Sequence, residues 1–274
     1  MPALHSIAPE KLARLVGTPG APVILDLRAA EGDPLVPSAL IRSPDTVEQW
    51  SSAFGGAATV LIDADGVSVA PGIAAWLRSE GIRAEVLEGG FAAWRAAGLP
   101  LLAGNKLPRR DAYGRTVWVT RARPKVDRIA CPWLIRRFVD PGARFLYVPA
   151  TDVLAVARSM NAAPFDVAHD DVFWSHRGDC CTFDLMVEEL GLSDFPSMDY
   201  LAAIVRGADT GRPDLVPEAA GLLAMSLGLS RMYADDLEQL NAGMLVYDAL
   251  YRWCRDARGE THDWTSHAPR EVRA

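Results

Sequence analysis

Short apolar stretches alternate with amphipathic stretches from Ser6 to about Leu102, and this alternation constrains the fold most strongly. The apolar stretches read PVILDLR, TVLID and AEVLEGG, and stretches with helical periodicity, such as PGIAAWLRSEG and FAAWRAAG, follow them. Short buried strands that alternate with helices are typical of a parallel sheet that is covered on both faces. The sequence therefore predicts a small α/β parallel-sheet domain over residues 1–104.

The chain has 274 residues, which exceeds the usual size of a single domain and favours two. The stretch AGNKLPRRDAYGRT is rich in glycine, proline and charge, so we interpret residues 105–115 as a linker. Residues 116–274 then form a mostly helical α+β domain. Its strands are predicted at VWVT and at 145–148, and its helices at 131–138, 151–160, 182–190, 198–206, 215–227 and 235–258.

The overall composition predicts a globular protein without a membrane span. Half of the residues are hydrophobic and the net charge is −7, but no apolar run is long enough to cross a bilayer. The first residues lack the basic start and apolar core of a signal peptide, so we expect a cytoplasmic protein. We expect reduced thiols at all four cysteines, which are Cys131, Cys180, Cys181 and Cys254.

Three motifs in the first half resemble the rhodanese family: VILDLR, LVPSA and LEGGFAAWRAAGLPL. The resemblance implies a reactive cysteine at the end of the central strand, held over loop amides and a helix N-terminus. Asp63 occupies that position in this chain, and an aspartate cannot form a persulfide, so we expect no sulfur transfer there. Two interpretations remain: a retained structural turn, or an anion site made of backbone amides, which the Asp63 carboxylate itself would fill.

Four motifs in the second half resemble the ChrB C-terminal family. They read WVTRARPKVDRIACPWLIRRFVDP, HRGDCCTFD, IVRGADT and MYADDLEQLNAGMLVYDALYRWCRD. Rhodanese-like domains are often fused to members of that family, so the resemblances of the two halves indicate the same family. The resemblance implies a link to chromate resistance, often as a chromate-responsive regulator of an efflux gene.

The second half also contains a set of candidate metal ligands, which are His176, Cys181, Asp209 and Asp236. Imidazole with thiolate suits zinc, whereas imidazole with carboxylates also suits iron or manganese, so we expect a divalent transition metal without choosing among the three. The alternative is structural: Cys181 lies in the core and His176 caps a helix. For Asp235, a helix cap is the favoured interpretation.

Two positions depart from the pattern of the ChrB family. Members often carry a glutamate where this chain has Phe173 and a histidine where it has Leu237. If those residues are ligands in the family, this chain has lost them, or Asp170 and Asp171 compensate.

A run of basic residues between Lys106 and Arg144 offers a different kind of site. Arg128 and Arg136 could bind chromate or another oxyanion, or the whole stretch could bind DNA, or it could be a solvated face. Cys131 is either a buried core residue or a thiol whose pKa is lowered by a helix N-terminus. Homodimerisation through the long C-terminal helix is a further possibility.

These observations predict a chromate-resistance-associated protein that is metal-linked or senses an oxyanion and has no sulfurtransferase activity. A DNA-binding regulator of chromate efflux and a metalloenzyme that acts on a small molecule are the alternatives.

Overall fold

The computed structural model describes residues 5–28 and 30–261, and its first sheet has five strands. The strands are β1 (Ser6–Ile7), β2 (Val23–Asp26), β3 (Leu40–Ile41), β4 (Ala58–Ile62) and β5 (Arg83–Leu87). Their order is β1-β5-β4-β2-β3, every neighbouring pair is parallel, and Leu25 of β2 lies opposite Leu61 of β4. The predicted parallel α/β fold is therefore confirmed.

Four helices cover this sheet: α1 (Pro9–Leu15), α2 (Val47–Trp50), α3 (Ala70–Ser79) and α4 (Gly90–Ala96). The helix predicted over TVEQWSSAF is only one α-helical turn between two 3₁₀ segments, 44–46 and 51–54. By contrast, α3 forms as expected, because Pro71 near its start needs no hydrogen-bonded N–H and Gly81, with φ of 78°, ends it.

The second region has a small sheet and six helices. Its strands are β6 (Val117–Arg121), β7 (Arg144–Val148) and β8 (Ala163–Pro164), which are parallel in the order β7-β6-β8. Its helices are α5 (Asp127–Leu134), α6 (Val153–Met160), α7 (Thr182–Glu189), α8 (Met198–Asp209), α9 (Glu218–Met232) and α10 (Asp236–Asp256). The mostly helical character is confirmed, whereas β8 was not predicted.

The helix predicted to start at Cys131 begins four residues earlier, at Asp127, and that prediction is wrong. Pro132 lies inside α5. A proline there cannot donate to the carbonyl of Arg128, and the hydroxyl of Tyr147 donates to that carbonyl instead, at 2.8 Å. A π-helical turn, Ile135–Val139, follows directly.

The stretch predicted as a linker follows a well-packed segment. Leu102 is fully buried, the N–H of Ala103 donates to the carbonyl of Leu190, and Lys106 pairs with Glu189 at 2.8 Å. One hydrophobic cluster contains residues of both halves, from Leu12 in α1 to Tyr251 in α10. The domain bounds 1–104, 105–115 and 116–274 stay predictions, and their ends at 1–4 and 262–274 lie outside the described residues.

All four cysteines are free thiols, which agrees with the prediction from the sequence. No helix within the described ranges is long and apolar enough to cross a membrane.

Candidate metal centre

The segment between β6 and α5 is held in a strained conformation that places Asp127 at the start of α5. Val126 has a φ of 24°, which is unusual for a β-branched residue. Its N–H donates to the buried hydroxyl of Ser226 at 2.9 Å, and its carbonyl accepts from the hydroxyl of Tyr247 at 3.1 Å. These two tertiary hydrogen bonds hold the backbone that presents Asp127. Strain of this kind concentrates at functional sites.

The loop between β8 and α7 brings Asp166 and His176 together. The N–H of Asp166 donates to the carbonyl of Trp174 at 2.8 Å, and Trp174 packs against Trp118 of β6 with ring centroids 5.9 Å apart. Asp166 itself has a φ of 51°, in the left-handed region. The loop therefore folds back on itself, so that residues ten positions apart share one site.

Three carboxylates surround the imidazole of His176. Its Nε2 lies 3.2 Å from Oδ2 of Asp209, 3.4 Å from Oδ1 of Asp166 and 3.7 Å from Oδ2 of Asp127. The four side chains come from the start of α5, the end of α8 and the loop before α7. Ligand atoms of Asp127, Asp166 and His176 lie within 4.8 Å of one another. We call these four residues the acidic cluster.

The carboxylates of the acidic cluster differ in how well they are satisfied. Oδ2 of Asp166 contacts the guanidinium groups of Arg121 and Arg128, each at 3.2 Å, and its Oδ1 accepts from the hydroxyl of Thr182. Oδ2 of Asp127 accepts from the N–H of Phe183 at 3.3 Å. Oδ1 of Asp127 is buried and has no hydrogen-bond partner among the described residues. A buried carboxylate oxygen without a partner is costly and calls for an explanation.

The electrostatics of the acidic cluster favour a cation. Hydrogen bonds to Asp166 and then to Asp209 raise the pKa of His176 to about 10. Burial, followed by repulsion from Asp209 and Asp166, raises the pKa of Asp127 well above its usual range. Burial alone would raise the pKa of Asp166, but the hydrogen bond from His176 and the charge of Arg128 outweigh it, so the pKa is lowered. An imidazole surrounded by carboxylates therefore binds a proton strongly, and a divalent cation would compete for the same place.

Of the predicted ligands, the fold brings His176 and Asp209 together. Cys181 is fully buried at the N-cap of α7, beside Asp127, and burial raises the pKa of its thiol. Asp236 lies outside the acidic cluster, and its carboxylate accepts from the N–H of Arg123 at 3.1 Å. Asp235 caps α10 by accepting from the N–H groups of Leu237 and Glu238, as interpreted from the sequence.

Sequence reasoning missed two members of the acidic cluster, Asp127 and Asp166. Asp127 directly precedes Arg128 in the basic stretch, and the sequence favoured Asp170 and Asp171 over Asp166 as additional ligands. Those two are exposed, with the side chain of Asp171 at 88%. No local signal separates Asp127 from an ordinary carboxylate in the first turn of a helix, which offsets the helix dipole.

The basic stretch is largely engaged within the chain. Arg128 contacts Asp166 and donates to the carbonyls of Arg121 and Ala122. Arg136 lies away from the acidic cluster, where it donates to Asn241 and stacks on the ring of Phe145. Other basic residues of the stretch pair with carboxylates: Arg110 with Asp140, Arg115 with Asp111 and Arg137 with Asp248.

Cys131 is fully buried in the second turn of α5, and burial raises the pKa of its thiol. The helix begins at Asp127, so Cys131 is not at an N-terminus that could lower this pKa. Of the two interpretations, the buried core residue agrees with the structure.

The loop of the first domain is filled by its own side chain. Asp63 follows β4 and is 3% exposed, and its carboxylate accepts from the N–H of Gly66 at 2.6 Å and from those of Val69 and Ala70 at 2.8 Å. The amide groups at the start of α3 therefore already hold an anion, as the sequence suggested.

Comparisons with known proteins agree on the second half of the chain. The model of the family described as "ChrB, C-terminal domain" matches residues 118–254, a range that contains the whole acidic cluster. The protein ChrB of Cupriavidus metallidurans is 36% identical over 152 residues, which cover 55% of this chain and 44% of that protein. This chain thus spans less than half the length of that relative.

Two solved structures, of a thiosulfate sulfurtransferase and of a rhodanese-like domain protein, are similar to part of this chain. Thiosulfate sulfurtransferase from Pseudomonas aeruginosa is 30% identical, with a TM-score of 0.34, over 39% of this chain and 21% of that chain. A rhodanese-like domain protein from Staphylococcus aureus is 27% identical, with a TM-score of 0.30, over 33% of this chain and 91% of that chain.

The family match extends over half of the present chain, from the middle of β6 to the end of α10. The protein therefore belongs to the ChrB C-terminal domain family.

Proposed function

We propose that this protein acts in chromate resistance as a metal-binding protein, with a divalent transition metal held by the acidic cluster. The observation that carries the proposal is the convergence of ligand atoms from Asp127, Asp166 and His176 within 4.8 Å of one another. Oδ1 of the fully buried Asp127 also has no hydrogen-bond partner among the described residues. A cation would satisfy this oxygen and neutralise the repulsion among the three aspartates.

The donor set favours a metal of intermediate character. Carboxylates suit manganese and magnesium, and imidazole suits iron and zinc, so three carboxylates with one imidazole favour Mn²⁺ or Fe²⁺. Cys181, the soft donor that the sequence proposed, is fully buried at the N-cap of α7, and burial raises the pKa of its thiol. For this reason we place zinc, which prefers nitrogen and sulfur, behind the other two.

The acidic cluster is reachable from solvent on one side. The side chains of His176 and Arg121 are 42% and 41% exposed, whereas that of Asp127 is fully buried. A metal bound between them would be anchored on the Asp127 side and open on the His176 side. An oxyanion such as chromate could approach along the exposed face of Arg121, and this is how we connect the metal to oxyanion sensing.

DNA binding by the basic stretch is the weaker alternative. Several arginines of the stretch pair with carboxylates of the chain itself, which leaves less positive charge for phosphates. They are Arg110, Arg115, Arg128 and Arg137. The alternative would be favoured by salt-dependent binding to a promoter fragment.

Metal analysis of the purified full chain, after reconstitution with manganese, iron or zinc, tests the proposal. We expect about one equivalent per chain in wild type and its loss in folded His176→Ala and Asp166→Ala. Asp236→Ala is the matched control, because it removes a carboxylate that lies outside the acidic cluster, and it should keep the metal. Wild type that stays metal-free with all three ions would refute the proposal.

We also propose that the first domain has no sulfurtransferase activity, because Asp63 both replaces a nucleophile and fills the amide pocket. Wild type should produce no thiocyanate from thiosulfate and cyanide. Asp63→Cys, which restores a thiol over the same amides, is the positive comparison. Activity in wild type at or above the level of that variant would contradict this proposal.

A further inference from the structure

Helix α9 (Glu218–Met232) buries two serines together with Ala219 and Leu222, and it exposes mostly apolar residues to solvent. Between Ala219 and Ser230 the polar side chains are Ser226 and Ser230, and both are buried. The exposed positions of the same stretch are apolar or glycine: Ala220, Gly221, Ala224, Met225, Leu227 and Gly228. A helix on the surface of a soluble monomer normally shows the reverse pattern. We call these exposed positions, together with Met232, the α9 face. The exposed Arg231 lies on the same side of the helix, between the directions of Ala224 and Leu227.

The inner side of α9 explains why its serines are buried. Ser226 accepts from the N–H of Val126, and the carbonyl of Ser230 accepts from the guanidinium of Arg123 at 2.7 Å. These bonds hold the segment before Asp127. Contacts of this kind account for the inner side of the helix, but not for the apolar outer side.

The large exposed side chains and the small ones of the α9 face are arranged as a shallow groove. At 100° per residue, Gly221, Ala224 and Gly228 lie along its middle, with Met225 and Met232 on one flank and Leu227 on the other. Met225 is 52% exposed, Leu227 44% and Met232 71%. Another helix could pack closely along the middle and be flanked by these larger side chains.

The packing of the described chain does not require glycine at Gly221 or Gly228. A Cβ added at Gly221 or at Gly228 would meet no atom within 4 Å, so neither position needs glycine for packing against its own fold. Glycine in the interior of a helix is nevertheless destabilising relative to alanine. Close approach of a helix from outside the chain gives these positions a reason.

The charges at the two ends of α9 indicate what that outside helix is. Glu218 lies at the start and Arg231 near the end, and they are equally far from the midpoint between Ala224 and Met225, as are Gly221 and Gly228. If a second α9 packs antiparallel, each arginine lies at the same height along the helix as a glutamate of the other copy, and each glycine faces a glycine. A parallel arrangement would place like charges together, so the pattern is self-complementary only for the antiparallel two-fold.

A membrane surface is a less suitable partner for the α9 face. Helices that lie on membranes are rich in lysine and arginine on their polar side, whereas Arg231 is the single basic residue of α9. The net charge of −7 also opposes binding to anionic lipid.

We propose that a second copy of this chain docks on the α9 face, with the two α9 helices antiparallel about a two-fold axis between Ala224 and Met225. Glu218 accepts from the hydroxyl of Tyr200 at 2.9 Å, which keeps its carboxylate at the edge of this face. The dimer is independent of any metal and differs from one formed through α10.

Sedimentation equilibrium of the full chain tests the proposal. Wild type should have twice the mass of one chain, and Leu227→Glu should have the mass of one. Val67→Glu is the matched control, because Val67 is a 75% exposed apolar residue far from α9 in sequence, and it should leave the dimer intact. A monomeric wild type, or a dimer that survives Leu227→Glu, would overturn the proposal. Flotation of wild type with lipid vesicles that Leu227→Glu abolishes would also overturn it, in favour of a membrane surface.

Substitution of the glycines distinguishes an interface from a structural role. In the monomeric Leu227→Glu background, Gly228→Ala should raise the melting temperature, because alanine is the better helix former and its Cβ meets nothing in the chain. In wild type the same change should weaken the dimer by about tenfold. Stabilisation of both monomer and dimer would contradict a close helix contact at this position.

A single cysteine tests the register. Ala224→Cys places two thiols next to the two-fold axis, so oxidation should yield a disulfide-linked dimer, whereas Val67→Cys should not. Equal cross-linking of the two variants would argue against this axis.

Discussion

Two buried aspartates, Asp63 in the first half and Asp127 in the second, place their carboxylates near the start of a helix and have opposite environments. The carboxylate of Asp63 accepts from three backbone N–H groups, so the positive end of α3 is already neutralised. Asp127 has one unpartnered oxygen, and Asp166 and Asp209 lie close to it. The first arrangement is complete without a ligand, and the second is not.

The difference shows that the effect of a buried carboxylate depends on the groups that surround it. Aimed at free amides, a carboxylate closes a pocket and stabilises a turn. Placed among other carboxylates, it carries unfavourable energy that only a proton or a cation can relieve. The same residue type thus fills an amide pocket in one half of the molecule and contributes to a candidate metal centre in the other.

The largest effect is expected when the charge of Asp127 is removed and the shape is kept. Asp127→Asn should weaken metal binding by at least about 100-fold, since loss of a direct ligand should exceed the effect of losing a supporting partner. Asp63→Asn should leave the affinity unchanged. Isothermal titration with manganese measures both, and equal affinities for Asp127→Asn and wild type would remove Asp127 from the site.

The same pair of substitutions should act in the opposite order on stability. Asp63→Asn replaces an acceptor of three amides with a group that also donates, and it should lower the free energy of unfolding by about 2 kcal/mol. Asp127→Asn removes a buried charge among like charges and should stay within about 1 kcal/mol of wild type in the metal-free protein. Urea denaturation in the presence of a chelator measures both. A larger loss for Asp127→Asn would contradict the comparison.

A smaller effect is expected at the support of Asp127. Ser226→Ala removes the acceptor for the N–H of Val126, which should cost about 1 kcal/mol and loosen metal binding by about tenfold. Ser230→Ala is the matched control on the same face of α9, because Arg123 contacts its backbone carbonyl. Similar metal affinities for the two variants would show that the strained backbone at Val126 does not position the site.

The smallest effect concerns pH. The pKa of His176 in the folded protein, about 10, lies above the ordinary value of 6.5. Its protonated form therefore stabilises the metal-free fold fully below the ordinary value, and this contribution is lost as the pH rises towards 10. The side chain is 42% exposed, so solvent weakens the effect.

Melting temperatures in a chelator test this expectation. The difference between wild type and His176→Gln should be largest at about pH 6 and should shrink towards about pH 10. His169→Gln, at another loop histidine, is the control. A difference that grows with pH would reverse the sign and contradict the expected pairing with the carboxylates.

Local pattern was sufficient for much of the fold. The alternation of strands and helices up to Leu102 follows from side-chain periodicity, and β2, β4, β5, α3 and α4 lie where that periodicity predicts them. Prediction from local pattern failed where tertiary contacts override the local preference for helix or strand. Helix α5 continues through Pro132 only because Tyr147 satisfies the carbonyl of Arg128, and no local pattern contains that contact.

For the candidate site, residue type was sufficient to name His176 and Asp209 as candidate ligands, because imidazole and carboxylate groups bind metals. Asp127 and Asp166 could not be found in this way, because their roles depend on positive φ angles at Val126 and Asp166 and on hydrogen bonds to distant residues. The sequence by itself determined the parallel α/β region, the replacement of a nucleophile by Asp63 and the chemistry of the available ligands. The tertiary structure decided which carboxylates converge, because convergence depends on loop conformation and on packing across the chain, which no stretch of sequence contains.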